Sequence, residues 1–156
     1  MDERVEHFIE RMGILGESEG LSRIAGRIFG FLLLSASSCS LDDLAAELGV
    51  SKASVSVDAR RLEQLGYLER SSRPADRRDY YSISADVFTR SLEQRMTRFR
   101  EFRSLIEEAR TLPVRHAAVR KRLDDLEAAY DVAVEAIEAA IERWQKAHGP
   151  HSSYSR

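Results

Sequence analysis

Two helical patterns open the chain. Val5, Phe8, Ile9, Met12 and Leu15 recur at intervals of three and four, with Glu3, Glu6, Glu10 and Arg11 between them, which predicts an amphipathic first helix. Glu17-Ser18-Glu19-Gly20 breaks it, and a second helix is expected from near Leu21 to about Leu34, apolar almost all round. Gly26 and Gly30 inside that helix each cost about 1 kcal/mol against alanine, so they are expected to serve a close backbone approach to a neighbour. Their spacing resembles a membrane dimer motif. Arg23 and Arg27 interrupt the run, however, and favour tight packing inside a soluble core.

Ser35-Ala36-Ser37-Ser38-Cys39-Ser40 reads as a small-residue loop. Ser40 then caps a helix from Leu41 to Leu48, with Asp42 and Asp43 in its first turn and Leu41, Leu44, Ala45 and Leu48 on its apolar face. Gly49 stops that helix, Ser51 caps the next, and Gly66 closes it after about Leu65. Two short helices joined by so tight a turn predict a helix-turn-helix. Tyr67-Leu68-Glu69-Arg70 and Tyr81-Ser82-Ile83-Ser84 alternate as strands do, and the polar stretch Ser71 to Asp79 between them predicts a hairpin with a basic tip. Helix-turn-helix plus hairpin is a winged helix.

From Asp86 the helical period returns through Phe88, Leu92, Met96, Phe99, Phe102 and Ile106, up to a break at Leu112-Pro113. After Val119 the positions Leu123, Leu126, Tyr130, Ala133, Ile137, Ala140 and Trp144 alternate four and three apart, a coiled-coil-like seam of more than three heptads. The expected fold is therefore mainly α: a winged helix-turn-helix with a small β-hairpin wing and long C-terminal dimerisation helices. The expected organisation is a DNA-binding domain over residues 1–85 with its N-terminal helices, a helical dimerisation region over 86–148, and a disordered tail over 149–156.

Projecting Ser51 to Leu65 at 100° per residue places Val55, Ala59, Leu62 and, less squarely, Leu65 on the core side. The opposite side carries Ala53, Val57, Arg60 and Gln64, flanked by Ser54, Ser56 and Arg61, with Asp58 turned to the other flank. Small hydroxyls permit close approach to a major groove, and an outward valine suits a thymine methyl. Lys52, Ser54, Ser56, Val57, Arg60 and Arg61 are the candidate DNA contacts of this helix, Lys52 toward phosphate. The bland reading of the same face is a solvated helix surface.

Charge sharpens the choice. The whole chain is nearly balanced, 24 basic against 26 acidic residues, so any nucleic-acid footprint must be local. Between Arg70 and Arg78 stand four arginines and one acid, a local excess of three positive charges on a chain of net charge −2. Arg73, Arg77 and Arg78 are the candidate contacts to the DNA backbone or minor groove, and Asp76 is the candidate orienting partner for one of them. Only 3 of the basic residues are lysine, and arginine's planar fork suits phosphates and base edges, although genome composition produces the same bias.

Composition excludes several classes. At 43% hydrophobic and 32% charged, with 3 Pro and 8 Gly, the 156 residues fit a soluble helical protein rather than a fibrous or membrane-spanning one. The longest apolar stretch, Ile28 to Leu34, is too short to span a bilayer, and the acidic start Met1-Asp2-Glu3 does not suit a secretion signal. A cytoplasmic location is expected. The lone Cys39 and four scattered histidines offer neither an internal disulfide nor ligand spacing, so no metal and no cofactor are expected.

Gly20 to Ile28, the run Leu41 to Ser56, and Asp76-Arg77-Arg78-Asp79-Tyr80-Tyr81 together resemble the GbsR/MarR-type transcriptional regulators. The likeness covers roughly residues 5 to 110. It implies a homodimer that binds double-stranded DNA at a near-palindromic operator, usually as a repressor, with possible control by a small-molecule effector near the dimer interface.

Other classes fare less well. No nucleophile, base and orienting group come together, and no phosphate-cradling glycine loop is present, so the chain is not expected to be an enzyme. Oxidation sensing by Cys39 is opposed by the neighbouring Asp42 and Asp43. Phe88, Phe99, Phe102, Tyr130 and Trp144 could line an effector pocket, but at helical spacing they fit a packed core better. The main rival is a winged-helix protein-interaction module in chromosome or transcription machinery, whose basic wing would meet an acidic protein. An RNA binder would need an exposed aromatic platform for stacking bases.

Overall fold

The computed structural model describes residues 2–113 and 116–149. Six helices and three strands follow in the order α1 (Glu3–Ser18), α2 (Arg23–Leu33), β1 (Cys39–Ser40), α3 (Leu41–Leu48), α4 (Lys52–Gln64), β2 (Leu68–Arg73), β3 (Asp76–Ile83), α5 (Val87–Thr111) and α6 (Ala117–His148). The expected fold class holds: mainly helical, with a small antiparallel sheet and a winged helix. The chain divides into two compact units between Val87 and Phe88.

Local chemistry sets the helix ends of the first unit. Asp2, Ser22, Ser40 and Ser51 each accept a backbone N–H in the first turn of α1, α2, α3 and α4. At Ser40 the bond is reciprocal, because the Asp43 carboxylate accepts from the Ser40 backbone N–H at 3.0 Å, closing a capping box. Gly49 ends α3 with φ +65°, a left-handed conformation that a side chain would resist.

The core of this unit gathers Ile9, Ala25, Ile28, Leu32, Leu44, Leu48, Val55, Ala59, Leu62, Leu68 and Tyr81. Its tightest point is where α1 crosses α2: a Cβ added to Gly26 would sit 2.4 Å from the Met12 carbonyl oxygen, and one added to Gly16 would sit 2.9 Å from the Gly26 Cα. The glycines of α2 thus serve close packing between two helices of one unit. Leu15, expected on the buried stripe of α1, is 52% exposed, while Gly13 and Gly16 take the contact.

The wing is more ordered than the sequence suggests. The sheet runs β1-β3-β2, with Leu68 opposite Ile83, Ser72 opposite Asp79, and a register shift between Ser72 and Arg73. Most of the stretch expected as a polar loop is therefore strand, and the reversal narrows to Pro74 and Ala75, where Ala75 adopts φ +64°. Cys39 and Ser40, expected as loop and cap, form a third strand opposite Tyr81 and Tyr80. A bridge of two residues is too short to leave an alternating pattern.

The second unit is α5 and α6 side by side. Phe88 pairs with Trp144 (ring centroids 4.5 Å apart), Phe99 and Phe102 meet Tyr130, and Arg110 bonds Asp124, so the two helices run antiparallel. The aromatic positions of the seam thus pack against one another. Within this unit α6 has no buried residue and α5 has one, Ile106. Gly149 follows α6 with φ +74°; the rest of the expected tail lies outside the described residues.

Candidate nucleic-acid interface

Helix α4 stands on its core side by Val55, Ala59 and Leu62, all at 0% exposure. That burial turns Val57 outward at 67% exposure, with Ala53, Arg60 and Gln64 also exposed and Ser54 and Ser56 half-buried beside them. Asp58, expected on the far flank, is tucked in at 8% exposure. The outward positions Ser54, Ser56, Val57 and Arg60 carry no carboxylate.

The cations of α4 have different attachments. Lys52 Nζ lies 2.8 Å from Asp42 Oδ1 in the first turn of α3. Arg61 Nη2 donates to the Gly20 carbonyl at 3.0 Å, tying α4 to the α1–α2 turn. Arg60 Nη2 donates to Ser56 Oγ at 2.8 Å, one helical turn back. The nearby Glu63 carboxylate is taken by Arg70, whose guanidinium also reaches Asp79.

The wing is held together by its own charges. Asp76 accepts from Arg78 through Nε (3.0 Å), Nη2 (2.7 Å) and the backbone N–H (3.0 Å), and it accepts the Tyr80 hydroxyl at 2.6 Å. The hydrogen bonds from Arg78 and then Tyr80 hold the Asp76 carboxyl well below the usual carboxylate range. The same bond pushes the Tyr80 phenol up. Arg73 lies over the buried Tyr80 ring at 3.8 Å and donates to the Ser38 carbonyl and hydroxyl. Among the described residues Arg77 makes no ion pair or hydrogen bond, and its side chain is exposed.

The structure therefore brings Ser54, Ser56, Val57 and Arg60 onto one face of α4. It places Arg77 and the Asp76-Arg78-Tyr80 cluster together on the wing. Lys52, Arg61 and Arg73 are engaged with the protein itself. The partners Asp42, Gly20 and Ser38 were missed by sequence reasoning, because they lie 10 to 41 residues away across turns whose crossing angles no local pattern encodes; Tyr80 was missed although it stands four residues from Asp76 on β3, where a strand's period of two puts both on one face. Cys39 is half-buried, and burial first, with Asp43 adding to it, pushes its thiol up. Among the described residues no group of three His, Cys, Asp or Glu side chains is placed to hold a metal ion.

A helix-turn-helix whose second helix shows an acid-free face, followed by the β2–β3 wing that pairs back onto β1, defines the winged-helix class. Residues 19–79, which run from the α1–α2 turn into β3, match the model of the MarR family. The chain is similar to the HTH-type transcriptional regulator MmpR5 of Mycobacterium tuberculosis, 34% identical over 104 residues that cover 66% of this chain. The match spans 63% of that relative's length. A solved structure described as a transcriptional regulator is similar over 92% of this chain and 99% of its own, with a TM-score of 0.75 and 28% identity.

Proposed function

We propose that the chain is a transcriptional regulator that binds double-stranded DNA as a homodimer and acts in the cytoplasm as a repressor of genes next to a near-palindromic operator. The observation that carries this reading is the outward face of α4: exposed, lined by hydroxyls, one valine and one arginine, and free of carboxylate. Such a face enters a major groove at little cost in desolvated charge. The family model that the module matches and the names of its relatives support it. No helix among the described residues is long and apolar enough to cross a membrane.

The nine candidate contacts divide their work. Ser54, Ser56, Val57 and Arg60 approach the groove. Arg77, unattached, takes a phosphate on the wing side. Lys52, Arg61, Arg73 and Arg78 reach phosphate or the minor groove only by sharing or exchanging their present partners, and Asp76 orients Arg78.

The homodimer is supported by the second unit, where Phe102, Leu105, Leu126 and Val132 stay 36–66% exposed. A second copy would cover them and set two recognition helices about 34–36 Å apart, one turn of DNA. A small effector would act by altering that distance. Selection of bound duplexes from random DNA tests the whole reading: an inverted repeat, bound with an affinity that falls steeply with salt, is expected. Affinity flat between low and physiological salt would sink it.

A further inference from the structure

The geometry of α4 points to a two-residue base reader, in which Arg60 takes a guanine and Val57 takes the methyl group of a thymine on the neighbouring base pair. This inference rests on the DNA-binding reading above and supplies what that reading leaves open, the base identities within the half-site.

Arg60 differs from the other two cations of its helix. Lys52 is held by a carboxylate and Arg61 by a backbone carbonyl, whereas among the described residues Arg60 bonds only the neutral hydroxyl of Ser56. That bond uses one of the five guanidinium N–H groups and leaves four on an exposed side chain, enough for a pair of parallel donors to a base edge. The carboxylate one turn further on, Glu63, is already occupied by Arg70, so nothing on the helix competes for them. Two parallel donors match guanine, which presents N7 and O6 as adjacent acceptors in the major groove. Adenine presents an amino donor beside N7 and would turn one arm away.

Val57 lies three residues earlier on the same face and is the most exposed large hydrophobic side chain of its helix, at 67%. Pressed against a polar base edge, it would strip water from donors or acceptors without replacing their bonds. Against a thymine methyl it loses nothing and buries apolar surface. Three residues advance about 4.5 Å along a helix axis, and base pairs are stacked about 3.4 Å apart. With α4 laid along the major groove, that advance suits the two side chains to adjoining pairs.

The test uses the wild-type protein and its selected duplex, altered one atom group at a time. Replacing the thymine by deoxyuridine removes only the methyl, and the expected loss is about fourfold, the value of one buried methyl-sized group. Replacing the guanine by adenine is expected to cost about 5- to 150-fold, and 7-deazaguanine, which lacks N7, should lose part of that. In Val57→Ala the thymine-to-uracil ratio should fall to near one, and in Arg60→Ala the guanine-to-adenine ratio should do the same, with unchanged circular dichroism. A half-site without adjoining guanine and thymine, or deoxyuridine bound as tightly as thymine, overturns the reader. So does an Arg60→Ala variant that weakens all sequences equally while the salt slope drops by about one, since that is a phosphate contact. A protein that binds no duplex at all sinks the regulator reading as well; one that selects an inverted repeat and fails these arms sinks the reader alone.

Discussion

Both units carry apolar residues at helical spacing, but they do different things with them. In the winged-helix unit four helices and a sheet approach from several directions, and eleven residues, from Ile9 to Tyr81, share one core. In the helical unit two helices lie side by side, and only Ile106 of α5 falls to 3% exposure. Two helices have a shared stripe but no inside, because each apolar stripe is wider than the strip one neighbour covers. The same periodic signal thus closes a core in one place and leaves surface for a partner in the other.

The largest effect that can break this contrast is cavity formation. Ile28→Ala is expected to cost about 3–4 kcal/mol in urea unfolding, with no recovery at higher protein concentration. Leu126→Ala, at a site 36% exposed in one chain, should cost less than about 1 kcal/mol in dilute protein and more where a dimer forms. Equal, concentration-independent losses would remove the distinction. Gly26→Ala comes next. Its Cβ would press on the Met12 carbonyl, so a loss of about 1–3 kcal/mol is expected despite a helix-propensity gain of about 1 kcal/mol. A more stable variant would show that α1 and α2 can part freely.

Two further measurements sharpen the view of the wing. Arg77→Ala should lower the slope of log affinity against log salt by about one, while Arg61→Ala should lower it by less, because Arg61 reaches a phosphate only by sharing or giving up the Gly20 carbonyl. The reverse result would exchange their roles. Asp76 has its folded value depressed, so its contribution is fully present above the unfolded value of about 3.9 and is lost only as pH falls through the lower folded value. The Nε resonance of Arg78 should therefore stay constant from pH 8 to pH 5; a titration in that window would mean the cluster is open in solution. The smallest effect concerns Cys39, whose raised thiol should react with iodoacetamide at pH 8 more slowly than a free cysteine does. Faster alkylation would contradict its burial.

Much of this was legible because the signals are local. Ser40, Gly49 and Ser51 mark helix ends within a few residues, and the alternation of Val55, Ala59 and Leu62 fixes which side of α4 looks inward. The hairpin was readable in outline only. Its strands carry arginines and serines rather than branched apolar residues, and β2 buries only Leu68, so a loop was the natural expectation for Ser71 to Asp79. Likewise the excess of arginine in the wing was plain, yet most of those arginines are bound at home.

Order along the chain was enough to determine the winged helix, the outward face of its second helix and the basic wing, since caps, periods and charge counts act over a few residues. Which of those charges remain free was decided only by the fold. Asp42, Gly20 and Ser38 come within hydrogen-bond distance of Lys52, Arg61 and Arg73 through turns and helix crossings. Whether a cation is paired depends on distances in space, and spacing along the chain does not carry that information.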